Sequence, residues 1–283
     1  MSQTAVLSQL DRAAEAVSNA QALFITAGAG MGVDSGMPDF RGPEGFWRAY
    51  PPYRALGLHF EEMANPRWFI KDPALAWGFY GHRMFLYRQT KPHAGFQILK
   101  RWAISKPVEA FVFTSNVDCH FQTAGFSRDL LVECHGTLEY LQCTNACGQE
   151  VFPSAGITVQ VNPETFRAEG DLPKCPRCGS LARPNVLMFG DWQWDGSLTE
   201  RQEKNMAHWF GEVKKKAAPL VIVEMGAGTG VPTVRMTSER ITSLFGGTLI
   251  RINIREPNVP AGNIGISLGA LAALTAIDER VSA

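Results

Sequence analysis

Apolar positions change period within the first thirty residues of the chain. Val6, Leu10, Ala13, Ala14 and Val17 recur at helical spacing, which predicts a helix over residues 5–20. Ala22-Leu23-Phe24-Ile25 then runs without a polar break and predicts a strand over 22–26, covered on both faces. Comparable runs recur at Phe111-Val112-Phe113, Leu130-Leu131-Val132, Leu220-Val221-Ile222-Val223 and Leu249-Ile250-Arg251-Ile252, each ending in a Gly, Asn or polar loop. Helical patterns separate the later runs, at about 199–216 and 232–245. Strands alternating with helices predict an α/β fold with a mostly parallel sheet. In such a fold ligands belong beyond the carboxyl ends of the strands.

Two segments break the alternation. Residues 43–105 look helical and carry Trp47, Trp68, Trp77 and Trp102, and residues 138–182 carry paired cysteines around a polar loop. Both read as insertions that build a smaller second domain. The large domain is then discontinuous, comprising 1–42, 106–137 and 183–283. No repeat or low-complexity run appears.

Charge adds little to this picture. The 283 residues hold 27 basic and 27 acidic side chains, so no general attraction to nucleic acid or an anionic bilayer is expected. The start, Met1-Ser2-Gln3-Thr4-Ala5-Val6, lacks the basic and apolar regions of a secretory signal. The longest soft candidate for a membrane span, Gly265 to Ile277, is far shorter than the roughly 20 apolar residues a span needs. The expectation is a cytoplasmic protein.

The cysteines change the picture more. Six are too few for a disulfide scaffold in a chain of this length. Four form close pairs, Cys143-x3-Cys147 and Cys175-x2-Cys178, each followed by glycine. They would read as unrelated buried thiols if scattered, but this spacing is that of two knuckles wrapping one tetrahedral zinc ion. Four protein ligands leave no open position, so the zinc is expected to be structural, contributing on the order of 10 kcal/mol to folding of its module. A basic-aromatic stripe that would make this zinc ribbon a nucleic-acid reader is missing.

The first strand runs into "TAGAGMGVDSGMPDFRG", residues 26–42, a Gly-rich turn placed where α/β proteins hold phosphate. Gly28 and Gly30 fit a dinucleotide fingerprint, but position 33 is Val33 and the third glycine is Gly32, which argues against hydride-transfer chemistry. Other strand ends carry "FTSNVDCHFQTAG" (113–125) and "VECHGTLEY" (132–140). These place Asn116, Asp118 and His135 beside the turn. A lone strand-end histidine is usually structural; three such ends around one turn point to a site.

Together "GAGMGVDSGMPDFRG", "SNVDCHFQTAG", "ECHG", the cysteine pairs, "RPNVLMFGD" and "RINIRE" resemble, in order, the sirtuins, the Sir2-like NAD-dependent protein deacylases. The resemblance spans about residues 20–256. It implies a Rossmann-like NAD domain with a smaller zinc-ribbon domain, and an enzyme that consumes NAD and an acyl-lysine protein, acetyl-lysine first and succinyl- or malonyl-lysine as the alternative. Nicotinamide, O-acyl-ADP-ribose and free lysine would be the products. Gly28, Ala29 and Gly30 would cradle the diphosphate with backbone N–H groups, helped by the dipole of the following helix. Asp39, Phe40 and Arg41 would cover the nicotinamide ribose. Asn116 and Asp118 would line the nicotinamide pocket, Ser115 would stand where the family's glutamine bonds the ribose, and His135 would be the general base. Gly226, Ala227, Gly228, Thr229 and Asn253 would complete the NAD site.

In one sirtuin class a Tyr-x-x-Arg reads the carboxylate of succinyl- or malonyl-lysine. Tyr80 and Arg83 match it, followed by Pro92-His93-Ala94. From spacing alone the same residues describe an amphipathic helix with one exposed arginine. Departures from the family pattern are also present. Ser115 replaces a glutamine, the Gly-Thr-Ser loop reads Gly226-Ala227-Gly228-Thr229 before a compressed Val231-Pro232, and Asp191-Trp192-Gln193-Trp194 is bulky. The altered peptide clamp raises an alternative on the same scaffold, a mono-ADP-ribosyltransferase or NAD hydrolase. A binding module without catalysis is a third reading, disfavoured by Asn116, Asp118 and His135.

Overall fold

The computed structural model describes residues 3–38 and 42–282. Helix α1 (Gln3–Asn19) leads into β1 (Ala22–Ala27), as the change of period predicts. A run of helices follows: α2 (Gly42–Ala49), α3 (Pro51–Ala55), α4 (Phe60–Met63), α5 (Arg67–Lys71) and the long α6 (Pro73–Gln89). Asp72 caps α6 by accepting from the Leu75 N–H at 3.2 Å, with Pro73 at the first helical position where its missing N–H costs nothing. Next come α7 (Ala94–Ser105), β2 (Val108–Thr114), α8 (His120–Thr123), β3 (Leu131–Glu133) and β4 (Gly136–Cys143). Short strands β5 (Phe152–Pro153), β6 (Gln160–Val161) and β7 (Ala168–Glu169) precede β8 (Ala182–Val186). The chain ends through α9 (Ser197–Lys215), β9 (Leu220–Met225), α10 (Thr233–Phe245), β10 (Thr248–Ile252), β11 (Ile264–Ile266) and α11 (Ala270–Val281).

A six-stranded sheet runs in the order β11-β10-β9-β1-β2-β3, and its neighbouring strands pair in parallel. Successive side chains of β1 point to opposite faces. Leu23, Ile25 and Ala27 enter one core with residues of α1, α7 and α11, while Ala22 and Phe24 enter another with Trp209 and Phe210 of α9. This two-sided burial is why the strands read as unbroken apolar runs. From β1 the chain moves to β2 and β3 on one side, and from β9 to β10 and β11 on the other. The order therefore reverses between β1 and β9, the crevice where doubly wound sheets bind ligands.

A third core joins α2–α6 to an antiparallel sheet of order β5-β4-β8. Phe46, Tyr50, Tyr53, Trp77, Phe79 and Tyr80 pack there with Leu138, Leu141 and Val186. Helix α7, although inside the segment 43–105, puts Phe96, Leu99 and Trp102 into the core of the large sheet, and β8 extends the small sheet to residue 186. The soft apolar stretch 265–277 divides between β11 and α11. Among the described residues no helix is long and apolar enough to cross a membrane.

Candidate active site

Adjacent strands of the parallel sheet end on the predicted site residues. In sheet order these are Asn253 after β10, Gly226 after β9, Gly28 after β1, Ser115 after β2 and His135 two residues after β3. Segments more than a hundred residues apart in sequence thus meet along one edge.

Backbone contact forms the centre of that edge. A side-chain carbon on Gly226, whose φ is +62°, would lie 2.3 Å from the Met31 nitrogen, and one on Gly28 would lie 2.9 Å from the Ala227 Cα. Only glycine permits so close an approach. The Gly28 N–H donates to the Met225 carbonyl at 2.9 Å and the Gly30 N–H to the Gly226 carbonyl at 3.0 Å. Two of the three amides expected to cradle phosphate are therefore engaged within the protein. The helix expected to follow is also absent as such: residues 29–31 and 33–35 form three-residue 3₁₀ turns. A macrodipole sums over aligned peptides, so turns this short contribute little of one. Asn253 is 3% exposed and donates through Nδ2 to the Ala227 carbonyl at 2.7 Å. It holds the second loop rather than presenting its amide outward. Thr229, exposed, gives its hydroxyl to Glu256 at 2.6 Å and its N–H to the same carboxylate at 3.1 Å.

At the end of β2, the Ser115 N–H donates to the Ala27 carbonyl at 3.1 Å, and the Asn116 N–H to the Thr114 hydroxyl at 3.0 Å. The Asp118 Oδ1 accepts from the His120 N–H at 3.0 Å, which orients the carboxylate at the start of α8. Ser115, Asn116, Asp118 and His135 are each half-buried, the accessibility expected of groups lining a cleft. Burial pushes the His135 imidazole below its ordinary value, and a backbone hydrogen bond with Ser115 pulls weakly the other way. A histidine held neutral near pH 7 is equipped to take a proton. Its carbonyl accepts from the Leu187 N–H at 2.9 Å, so the loop after β8 is fastened to His135. Asp39, Phe40 and Arg41 lie outside the described residues.

Tyr80 and Arg83 are buried, 1% and 7% exposed, and this departs from the amphipathic helix with one exposed arginine. Helix α6 is covered on most sides, so its inward positions follow no single stripe. The Arg83 guanidinium carbon lies 5.2–5.8 Å from the ring centres of Phe60, Phe79, Tyr80 and Tyr87. The Tyr80 hydroxyl is buried and has no hydrogen-bond partner, and burial raises its pKa, with Arg83 lowering it. After Phe189-Gly190 the two tryptophans diverge. Trp192 is 96% exposed, whereas Trp194 lies against Gly136 and Gly196. Asp191 anchors their loop through a two-pronged pair with buried Arg183, at 2.6 and 3.0 Å.

The sulfur atoms of Cys143, Cys147, Cys175 and Cys178 all lie within 4.8 Å of one another, with Cys143–Cys178 at 3.6 Å and Cys147–Cys175 at 3.7 Å. Four thiolates ~2.3 Å from one tetrahedral ion stand ~3.8 Å apart, so the quartet is consistent with a zinc site. The Asn145 N–H points at the Cys143 sulfur from 3.3 Å, as in a metal knuckle. Hydrogen bonds from Ser180 lower the Cys178 thiol to about 6. The remaining two cysteines are different. Burial pushes the Cys134 thiol up to about 12 and that of Cys119 well above its ordinary value, so neither presents a reactive thiolate.

Three residues near this edge escaped the sequence reading in their structural role. His93 accepts at Nδ1 from the Gly95 N–H and so donates from Nε2 to the Met31 carbonyl at 3.0 Å, tying α7 to the Gly-rich turn. Glu133 lies buried two residues before His135. Tyr87 accepts from Arg83, and its four-residue spacing from Arg83 was the available signal.

Comparison with known proteins agrees with this geometry. The model of the Sir2 family matches residues 28–211. An NAD-dependent protein deacylase of Pyrococcus abyssi is 33% identical over 229 residues, covering 81% of this chain and 80% of the relative. One of Thermus thermophilus is 30% identical over 270 residues, covering 94% and 92%. A solved Sir2 homolog–NAD complex superposes with a TM-score of 0.70 at 26% identity, over 96% of this chain and 93% of the other. The chain belongs to the Sir2 family.

Proposed function

We propose that this protein is an NAD-dependent protein-lysine deacylase that yields nicotinamide, O-acyl-ADP-ribose and free lysine. The observation that carries the reading is the shared strand-end edge. It sets the Gly28/Gly226 turn pair, the Asn116–Asp118 segment and a His135 held neutral side by side. The relatives named as deacylases and the neighbour solved with NAD support it.

Bound NAD would supply an electrophilic ribose carbon that takes the acyl oxygen as nicotinamide leaves. Within this reading, Ala29, Ala227 and Gly228 face the diphosphate, because the Gly28 and Gly30 amides are engaged elsewhere. Asn116 and the outer oxygen of Asp118 hold the nicotinamide amide, and Ser115 stands on the ribose side of the same cleft. Neutral His135 removes a proton from a ribose hydroxyl, a role typically worth ~10²–10⁴ in rate. Asp39, Phe40 and Arg41 are proposed, from the family resemblance, as residues that would contact the nicotinamide ribose. Tyr80 and Arg83 meet the far end of the acyl group, and a guanidinium with a phenol beside it suits a carboxylate, so succinyl- and malonyl-lysine are the proposed acyl groups. The cysteine quartet holds a structural zinc ion. The division into a large NAD-binding body and a small zinc-bearing one, and a cytoplasmic site of action on acylated proteins, belong to the same proposal.

The test is incubation with NAD and matched acetyl-, succinyl- and longer-acyl-lysine peptides, followed by mass spectrometry. Equal amounts of nicotinamide, deacylated peptide and acyl-ADP-ribose are expected, and His135→Ala should abolish formation of the deacylated peptide and acyl-ADP-ribose. Nicotinamide release without deacylated peptide would instead establish ADP-ribosyl transfer or NAD hydrolysis. Undiminished turnover by His135→Ala would remove the histidine from its role.

A further inference from the structure

Arg235 stands in the first turn of α10, where the positive end of the helix disfavours a cation. Its partners account for the placement. One Nη group donates to the Ala227 carbonyl at 3.3 Å and to the Glu256 carbonyl at 3.0 Å, and the other donates to the Asn258 carbonyl at 3.2 Å. The planar fork thus clasps the loop after β9 to the loop after β10. The Ala227 carbonyl also accepts from the Asn253 Nδ2 at 2.7 Å, so both of its lone pairs are used and its direction is fixed. The Ala227–Gly228 peptide is trans, and in a planar trans peptide the N–H points opposite to the carbonyl. Because β10 and β1 flank β9 on opposite sides, a carbonyl turned toward Asn253 aims the Gly228 N–H toward the β1 side. Gly228 is half-buried, and its N–H meets no acceptor among the described residues. The first Gly-rich turn lies on that side, so near that a side-chain carbon on Gly28 would come within 2.9 Å of the Ala227 Cα. An unspent backbone donor therefore faces the crevice between β1 and β9.

We propose that Arg235 is a positioning residue for the dinucleotide, holding the Ala227–Gly228 peptide so that the Gly228 N–H meets the diphosphate of NAD. This rests on the reading of the strand-end edge as the NAD site. A donor fixed in advance binds an anion without the entropy loss of ordering its loop on contact. The guanidinium supplies that order, since its rigid fork gives up little freedom for each hydrogen bond it makes. Neighbouring bonds brace the same unit. Thr229, next in the loop, gives its hydroxyl and its N–H to the carboxylate of Glu256, the residue whose carbonyl Arg235 holds. Arg251 of β10 donates to the Asn258 carbonyl at 2.6 Å, alongside Arg235. Loops 226–230 and 253–258 thus move together or not at all, and Arg235 ties both to α10.

The experiment follows ADP-ribose binding by the full chain in two ways. In protein labelled with nitrogen-15 at glycine, ADP-ribose should move the Gly228 amide proton downfield, as donation to a phosphate oxygen does, whereas adenosine, which has no diphosphate, should leave it in place. By calorimetry, Arg235→Met should bind ADP-ribose roughly tenfold more weakly than the parent, the effect of losing a hydrogen bond from a charged group. Its NAD KM should rise by a similar factor, while the KM of the acyl-lysine peptide at saturating NAD moves less than twofold; a general loss of structure would raise both. Arg235→Lys keeps the charge without the fork and should recover little of the lost affinity. Where Arg235→Met does not hold its fold, the lysine variant and the Gly228 amide of the parent carry the decision. A Gly228 amide that ignores ADP-ribose, or either variant binding it as tightly as the parent does, overturns the role of Arg235 and leaves the NAD reading standing. A parent protein that does not bind ADP-ribose overturns both.

Discussion

Glu133 is 2% exposed, and burial pushes its carboxyl up to about 7 despite the Gln202 side-chain amide donating to it at 3.4 Å. In the unfolded chain the same group ionises near its ordinary value of about 4.3. Since the folded value is the higher, the native state binds the extra proton between the two. The contribution to stability is complete below about 4.3 and is lost as pH rises through about 7. The gap is equivalent to roughly 3–4 kcal/mol. An amide cannot accept hydrogen bonds on both sides as a carboxylate does, so Glu133→Gln should recover about 1–3 kcal/mol at pH 8. Thermal melts of the variant and parent at pH 5 and pH 8 check this. The variant should melt higher at pH 8 and no higher at pH 5; the same increment at both would mean that the Glu133 proton is not involved.

Strand β10 shows what pattern reading captures and what it loses. Its run Leu249-Ile250-Arg251-Ile252 predicts a strand in spite of a charge in the middle, and Arg251 stands in register with Glu224 of β9. Both side chains are essentially sealed off, at 1% and 0% exposure, and they pair with each other, with Glu239 adding a contact at 2.9 Å. Removing one partner leaves a buried charge alone, so Glu224→Leu or Arg251→Met should each cost about 3–5 kcal/mol. The double variant should regain much of that in urea unfolding, whereas additive losses would deny the coupling. The main strands were legible because burial on both faces forces continuous apolar runs. Strand β11, Ile264-Gly265-Ile266, is too short to leave such a mark. The strand-end residues were legible because loops after parallel strands have one place to go. The engagement of the Gly28 and Gly30 amides was not, because their partners lie at Met225 and Gly226, almost two hundred residues away. Nor could periodicity assign α7, since Phe96, Leu99 and Trp102 would suit either core, or bury Arg83, since a helix enclosed on most sides shows no polar stripe.

At the scale of the molecule, the cysteine quartet and the candidate base belong to one mechanical unit. Cys143 ends β4, and β4 begins at Gly136, next to His135. Cys175 and Cys178 precede β8, which pairs antiparallel with β4 and runs into the loop whose Leu187 N–H holds the His135 carbonyl. The small sheet thus connects the cysteine quartet at one end to the candidate site's strand-end edge at the other. The two cores flanking the large sheet include none of the four cysteines. Removing zinc should therefore loosen β4 and β8 while leaving the large sheet folded, since a structural zinc site supplies folding energy to its own module. Treatment with a strong chelator, or Cys175→Ser, is expected to abolish deacylation and to add a transition at lower temperature. Most of the far-UV circular dichroism should survive that first transition and be lost only in the second. Restoring zinc to the chelated protein should restore activity. If the chelated protein instead melts once, at the parent temperature and with activity intact, the quartet is not a support for the site. If it melts once but at a much lower temperature, the two bodies unfold together and the proposed division into two domains fails as a thermodynamic one, because zinc would then be holding the large sheet as firmly as the small.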